Sequence, residues 1–189
     1  TWIILIIVVL IGLWLIRIYN SLVTADENVS TAWSQVENVY QRRLDLIPNL
    51  VNTVQGAADF ERNTLNEVIQ ARAAASSINL DAANLNEANL AAFQQAQDGL
   101  GQALSRLMVV VERYPELKAN QNFRDLQSQL EGTENRIAVE RNRFNEAVRI
   151  YNTSIRRFPK NVIAGIFGFE ARAYFQAEEN AQKAPQVQF

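Results

Sequence analysis

The chain opens Thr1-Trp-Ile-Ile-Leu-Ile-Ile-Val-Val-Leu-Ile-Gly-Leu-Trp-Leu-Ile16, a run that carries no charge. A helix that crosses a bilayer needs roughly 20 apolar residues, each adding about 1.5 Å. Continued to Tyr19, the run approaches that length with one charge, Arg17, near its end. A long arginine keeps its stem in the apolar zone and lifts its head to the surface. Trp2 stands at one end of the run, and Trp14 and Tyr19 stand toward the other. Indole and phenol rings favour the headgroup level. Residues 1–21 are therefore expected to form a transmembrane anchor, with Trp2, Trp14, Arg17 and Tyr19 as its interfacial residues.

Two plainer readings compete. A cleavable signal peptide would use Val23-Thr24-Ala25 as a loose small-x-small site, but the apolar run is long and Arg17 separates it from that site. A buried core helix keeps some polar edge, and this run has none. A chain starting at Thr1 is expected to have lost a few residues, the initiator Met among them. Arg17 and Arg42-Arg43 lean toward a cytoplasmic domain, whereas Asp26, Glu27 and the upstream flank leave the positive-inside count open.

Downstream, apolar positions recur at alternating spacings of three and four: Val29, Trp33, Val36, Tyr40, Arg43, Ile47, Leu50, Val54, with only Arg43 out of character. Such a stripe faces a partner helix. No Gly or Pro separates Ile16 from Asp26, so the stripe is expected to run straight on from the membrane helix. Pro48 removes a backbone donor and predicts a kink or break, after which the pattern resumes through Ala58, Leu65, Val68 and Ala75 to Ser76-Ser77. Residues 78–101 read as a connector with a helical turn or two between Leu90 and Gln97, closed by Asp98-Gly99. A further helix through Leu100, Leu104, Leu107, Val111 and Tyr114 is expected to stop at Pro115. Asn120 or Asn122 then caps the longest helix, which carries Phe123, Leu130, Ile137, Glu140, Phe144, Tyr151 and Ile155 and ends at Pro159. The fold class is all-α: one N-terminal transmembrane helix followed by an antiparallel bundle of long helices. Its divisions are an anchor over 1–21, a bundle over 22–158 and a C-terminal apolar and aromatic segment over 159–189.

Composition removes most chemistry. The chain has no His and no Cys, which excludes disulfides, zinc fingers, Cys nucleophiles, Ser-His-Asp triads and the Glu-x-x-His ligands of di-iron bundles. No Walker loop, Gly-x-Gly-x-x-Gly or EF-hand loop is present. No cofactor is expected, and carboxylate-only Mg²⁺ or Ca²⁺ binding is the metal chemistry left open.

Three groups of residues invite a role. Arg43 occupies a stripe position and Glu140 breaks the stripe of the long helix, so we expect an internal polar network of Arg43 and Glu140, with Asp45 or Asn145, that fixes helix register. The alternative is that both stripe edges are solvated and these residues never meet. Arg136, Arg141, Arg143, Arg149, Arg156, Arg157 and Lys160 outnumber Glu140 and Glu146, which would suit acidic lipid headgroups or nucleic acid, yet charges spread along a long helix read first as a solvated face, and no nucleic-acid partner is expected. Val162, Ile163, Ile166, Phe167 and Phe169 form an apolar cluster too short to span. It is expected to pack on the bundle first, on a neighbouring subunit second and in the membrane third.

Three segments resemble the LemA family of bacterial membrane-associated helical proteins. They are Tyr19-Asn-Ser-Leu-Val-Thr24, then Ala32-Trp33-Ser-Gln-Val-Glu37 leading into Arg42-Arg43-Leu-Asp45-Leu-Ile-Pro48-Asn-Leu-Val51, and finally Phe158-Pro159 with Gly168-Phe169, Tyr174-Phe175 and a Pro185-x-Val187-x-Phe189 ending. The resemblance implies an N-terminal anchor in a bacterial inner membrane and a helical bundle, and it implies no reaction. The chain is thus expected to be a non-enzymatic, single-pass scaffold or interaction protein whose partners are membrane lipid, copies of itself and other proteins. The alternatives are a lipid-binding or membrane-shaping module and a carboxylate-metal membrane enzyme, the latter needing several acids in one pocket.

Overall fold

One helix, α1 (Trp2–Gln55), carries both the apolar run and the first bundle stripe without interruption. Its 54 residues extend roughly 80 Å. The computed structural model describes residues 2–57 and 60–176, all helix and connecting segments with no strand among them. The Pro185-x-Val187-x-Phe189 ending, with Thr1 and Ala58, lies outside the described residues.

α1 changes character at Ile18. From Trp2 to Ile16 its large apolar side chains are exposed, and Trp2 reaches 82 %. From Ile18 the stripe Leu22, Val29, Trp33, Val36, Tyr40, Ile47, Leu50 and Val54 is buried. This apolar N-terminal part is long and oily enough to cross a membrane and is not sheltered by the rest of the molecule. Leu22, beside the loose cleavage motif, is fully buried in the middle of the continuous helix.

Of the kink or break expected at Pro48, the break does not occur; α1 continues through it and ends at Gln55, before the turn at Gly56. Two features explain the tolerance. The Pro48 ring faces outward, on the exposed side. The Leu44 carbonyl, which lacks its helical donor because proline has no N–H, accepts a hydrogen bond from Arg72 Nε at 2.9 Å.

α2 (Arg62–Ser77) turns back along α1. A connector follows, with a single 3-10 turn at Ala82–Asn84, and Trp33 Nε1 pins it by donating to the Leu80 carbonyl at 3.1 Å. α3 (Glu87–Val111) begins well before the position read from sequence. Asn86 is its N-cap, its side chain accepting from the Asn89 N–H at 2.8 Å. Asp98-Gly99 closes nothing: Leu90, Phe93, Gln97, Leu100, Leu104, Leu107 and Val111 form one buried stripe through it. The gain from burying that stripe outweighs the roughly 1 kcal/mol per glycine that helix propensity costs. Pro115 opens the short α4 (Pro115–Ala119) rather than stopping α3, since the first helical position has no use for an N–H. Asn120 caps α5 (Gln121–Arg156) by accepting from Phe123 N–H at 3.3 Å. α6 (Lys160–Phe167) follows and ends at Gly168, whose φ of +74° is the left-handed cap geometry. Residues 168–176 then run back as an extended strap.

α1, α2, α3 and α5 form an up-down-up-down bundle, with α1 packed most closely on α5 and α2 on α3. The interior has two apolar clusters. The proximal one, next to the exposed apolar run, extends from Ile18 to Tyr40 with Phe93, Ile137, Phe144, Tyr151 and Phe175. The distal one runs from Leu44 to Val54 with Leu65, Leu100, Leu107, Phe123 and Leu130.

Candidate functional site

Between the two clusters lies a polar layer. Arg43, only 3 % exposed, extends from α1 at the point where one apolar cluster gives way to the other. Its Nη2 donates to the Gln97 carbonyl at 2.9 Å and to Gln97 Oε1 at 2.7 Å, and its Nη1 donates to Glu134 Oε2 at 2.9 Å. The guanidinium lies 5.2 Å from the centre of the Tyr40 ring. One arginine thus ties α1 to α3 and to α5. Gln97 and Thr133 are the other buried polar side chains of the layer. α3 and α5 stand apart here, and the gap is a groove of about 1160 Å³ lined by Gln94, Gln97, Asp98, Gln102, Glu131 and Glu134 among others. Such a node sets register: sliding α1 by a turn would bury a guanidinium against leucine.

The pairing expected from sequence is corrected in its partner. Arg43 is buried and salt-bridged, but to Glu134 and not to Glu140, which lies nearly two turns further along α5 and pairs with Arg143 at 2.8 Å. Asp45 is on the outer face, accepting from Gln41 at 2.7 Å. Asn145 belongs to a different device altogether. Gln97 and Glu134 were not identifiable from the pattern: Gln97 falls in the stretch read as connector, and Glu134 flanks the stripe rather than occupying it.

The second device holds the strap. Asn152 Nδ2 donates to the Arg172 carbonyl, and its Oδ1 accepts from the Arg172 N–H, both at 2.9 Å. Asn145 does the same to Phe175, donating at 3.1 Å and accepting at 2.9 Å. Gln94 of α3 does it to Gln176, with both bonds at 3.2 Å. Each amide therefore imitates the edge of a strand, satisfying one donor and one acceptor of an extended backbone. Tyr151 Oη donates to the Glu170 carbonyl at 2.9 Å, and the Arg172 guanidinium reaches across to Asp26 of α1 at 3.0 Å. Phe175 fills a slot between Trp33 and Phe144, with ring centres 6.1 and 5.4 Å away, while Arg141 lies 4.9 Å from its own ring centre. The seven-residue spacing of Asn145 and Asn152 was the available sequence signal.

The cluster read from the tail divides. Ile163 is buried in the proximal core and Phe169 packs at its edge, whereas Val162, Ile166 and Phe167 are exposed. Phe167 and Phe169 lie 4.7 and 5.9 Å from the Tyr19 ring, so the segment sits beside the base of the apolar run. Trp2, Trp14, Arg17 and Tyr19 are all on the exposed part of α1.

Among the described residues no three acids gather into a metal-binding group. Burial pushes the Tyr40 phenol up to about 12 against the pull of Arg141 and Arg43. Burial also raises Tyr151, helped by the negative charge of Asp26, and raises Glu37, helped by Asp81. The tyrosines are thereby held as neutral hydrogen-bonding and packing groups.

The LemA family profile matches residues 32–189, which takes in the polar layer, the amide clamps and the strap. The chain belongs to the LemA family. It is 30% identical over 179 residues to Magnetosome protein MamQ 2 of Paramagnetospirillum magneticum, covering 84% of this chain and 64% of that protein. It is 29% identical over 174 residues to Magnetosome protein MamQ of Magnetospirillum gryphiswaldense, covering 83% and 64%. Similarity to Protein LemA of Metamycoplasma hominis is 24% over 160 residues, covering 85% of this chain and 69% of that one. The chain thus spans about 64% of the length of the MamQ relatives. Within the LemA family match, the strap and its clamps are part of the fold rather than an appendage.

Proposed function

We propose that this LemA-family chain is a non-enzymatic scaffold held in the inner membrane of a bacterial cell, where it assembles side by side with its own copies and presents its bundle to other proteins. The observation that carries the reading is the continuity of α1 from Trp2 to Gln55. Somewhat under a third of one unbroken helix is bare and apolar, and the rest is a rod of the bundle. A bundle so joined cannot swivel freely on a linker; its long axis follows that of the span. Copies sharing a membrane plane then meet in similar orientations and at raised local concentration, which favours lateral assembly.

The polar layer and the clamped strap support a rigid presenting surface rather than a moving catalytic one. Several acids pair with arginines: Asp26 with Arg172, Glu134 with Arg43, Glu67 with Arg106, Glu140 with Arg143, Glu146 with Arg149. Among the described residues none is gathered with other acids in the way a carboxylate-metal enzyme needs.

The test is extraction of the full chain from membranes in mild detergent, followed by sizing with light scattering and by cross-linking in native membranes. Multimers in both experiments are expected. A monomer in both removes self-association, and recovery of the full chain in the soluble fraction without detergent removes the anchor.

A further inference from the structure

α6 has the sequence Lys160-Asn-Val-Ile-Ala-Gly-Ile-Phe167 and is apolar on nearly every side. Ile163 and Ala164 face the bundle core. The remaining large apolar groups face outward: Ile166 is 70 % exposed and Phe167 59 %, with Val162 one turn before Ile166 and Phe158 just ahead of the helix also exposed. A helix that is apolar all round belongs in an apolar medium, and a contiguous patch of this kind marks a contact site.

Its position says which medium. The Phe167 ring lies tilted against that of Tyr19, and Lys160 Nζ donates to Ser21 Oγ at 2.8 Å. Those two α1 residues lie just past Ile18, where the exposed apolar run gives way to burial. Whatever surrounds Trp2–Ile16 therefore has its boundary at the level of α6. Charge agrees. Arg17, Arg156, Arg157 and Lys160 lie at this end, and neither residues 1–25 nor 147–169 contain an Asp or Glu. An apolar wedge framed by cations is the arrangement that binds anionic lipid surfaces.

We propose that α6 is a second membrane contact: it lies in the boundary between headgroups and acyl chains, inserts Phe158, Val162, Ile166 and Phe167, and sets its flanking cations against anionic phospholipid headgroups. With α1 it makes a two-point attachment, which fixes the tilt of the bundle on the membrane. The proposal rests on α1 crossing the bilayer, and its test separates the two.

The chain has no cysteine, so single labels are specific. Leu10→Cys, Ile166→Cys and Ser128→Cys are each made in the full chain, labelled with an environment-sensitive fluorophore and reconstituted into phosphatidylcholine–phosphatidylglycerol vesicles. All three side chains are exposed, so labelling leaves the packing intact. Nitroxide lipids are expected to quench the labels at Leu10 and Ile166, with a blue shift at Ile166, and to leave Ser128 to aqueous iodide. Omitting phosphatidylglycerol is expected to reduce quenching at Ile166 and not at Leu10. If iodide quenches Ile166 as it does Ser128 while Leu10 stays lipid-quenched, the anchor stands and the α6 contact is overturned. Ile166 shielded from both quenchers, with disulfide cross-linking between Cys-bearing chains, also overturns it, because a second copy then covers the face. Loss of lipid quenching at Leu10 overturns the anchor itself. Quenching at Ile166 that ignores lipid charge overturns the role given to the cations.

Discussion

Replacing Gln97 by leucine should destabilise the bundle more than replacing Arg43 by methionine, although Arg43 is the charged residue. Gln97→Leu leaves the guanidinium in place, 3 % exposed, without the Oε1 acceptor at 2.7 Å. The Gln97 carbonyl and Glu134 still hold the guanidinium, so the loss is that of one buried hydrogen bond to a charged group, about 2–3 kcal/mol. Arg43→Met removes the charge with its desolvation cost and fills similar volume. It leaves one uncharged acceptor, Gln97 Oε1, with no donor, while the Gln97 carbonyl retains its place in the α3 helix, so the cost is about 1–2 kcal/mol. Glu134 is 59 % exposed, and water takes over from its side when Glu134→Gln weakens the ion pair, for a loss under about 1 kcal/mol. The double variant Arg43→Met/Gln97→Leu makes the layer apolar, and its stability should return to within about 1 kcal/mol of the parent. The coupling between the two sites is then about 3 kcal/mol. Urea unfolding in detergent reads these values through Trp33, once Trp2→Phe and Trp14→Phe leave it as the sole indole. If the two single losses simply add in the double variant, Arg43 and Gln97 are not one unit and the account of the polar layer is wrong.

Three further outcomes are expected. Asn152→Leu and Asn145→Leu each remove two hydrogen bonds to the strap, so amide hydrogen exchange at Arg172 and Phe175 should accelerate by roughly 10- to 100-fold, while exchange in the middle of α1 stays unchanged. Arg72→Met should cost about 1 kcal/mol in the parent, by orphaning the Leu44 carbonyl, and almost nothing in a Pro48→Ala background where that carbonyl regains a helical donor, as urea midpoints will register. Burial holds Tyr40 at about 12, above the ordinary tyrosine value of 10.0, so the folded chain keeps a proton that the unfolded chain releases. Stability is therefore full below about pH 10 and falls as pH rises toward 12. Tyr40→Phe should flatten this fall in an alkaline unfolding series, leaving only the smaller part due to Tyr151, whose value burial also raises.

Where sequence reading went astray, the reasons are specific. A kink or break was expected at Pro48, and no break occurs because an arginine from α2, 24 positions further on, supplies the missing donor. Asp98-Gly99 was expected to end an element, but local breaker signals lose to a long buried stripe when the helix is packed on its neighbours. Glu140 was chosen as the partner of Arg43 because it interrupts a stripe, whereas the carboxylate that reaches the guanidinium is Glu134, at the stripe's edge. Asn145 was noticed for its polarity and proved to hold a backbone segment that no pattern places near it.

Periodicity and composition, being local, were enough for the all-helical class, the oily leader running into a bundle rod, the Asn120 cap, the burial of Arg43 and the lack of His and Cys chemistry. These follow from the identity of neighbouring residues one to four positions apart, which any single chain displays. Which carboxylate met the arginine, how Pro48 was tolerated, how three amides gripped the returning strap and that α6 came to rest beside Tyr19 were decided by tertiary structure alone. Each joins residues tens of positions apart in the chain, and the chain's hydrophobic pattern constrains which faces turn inward without stating which atoms then meet.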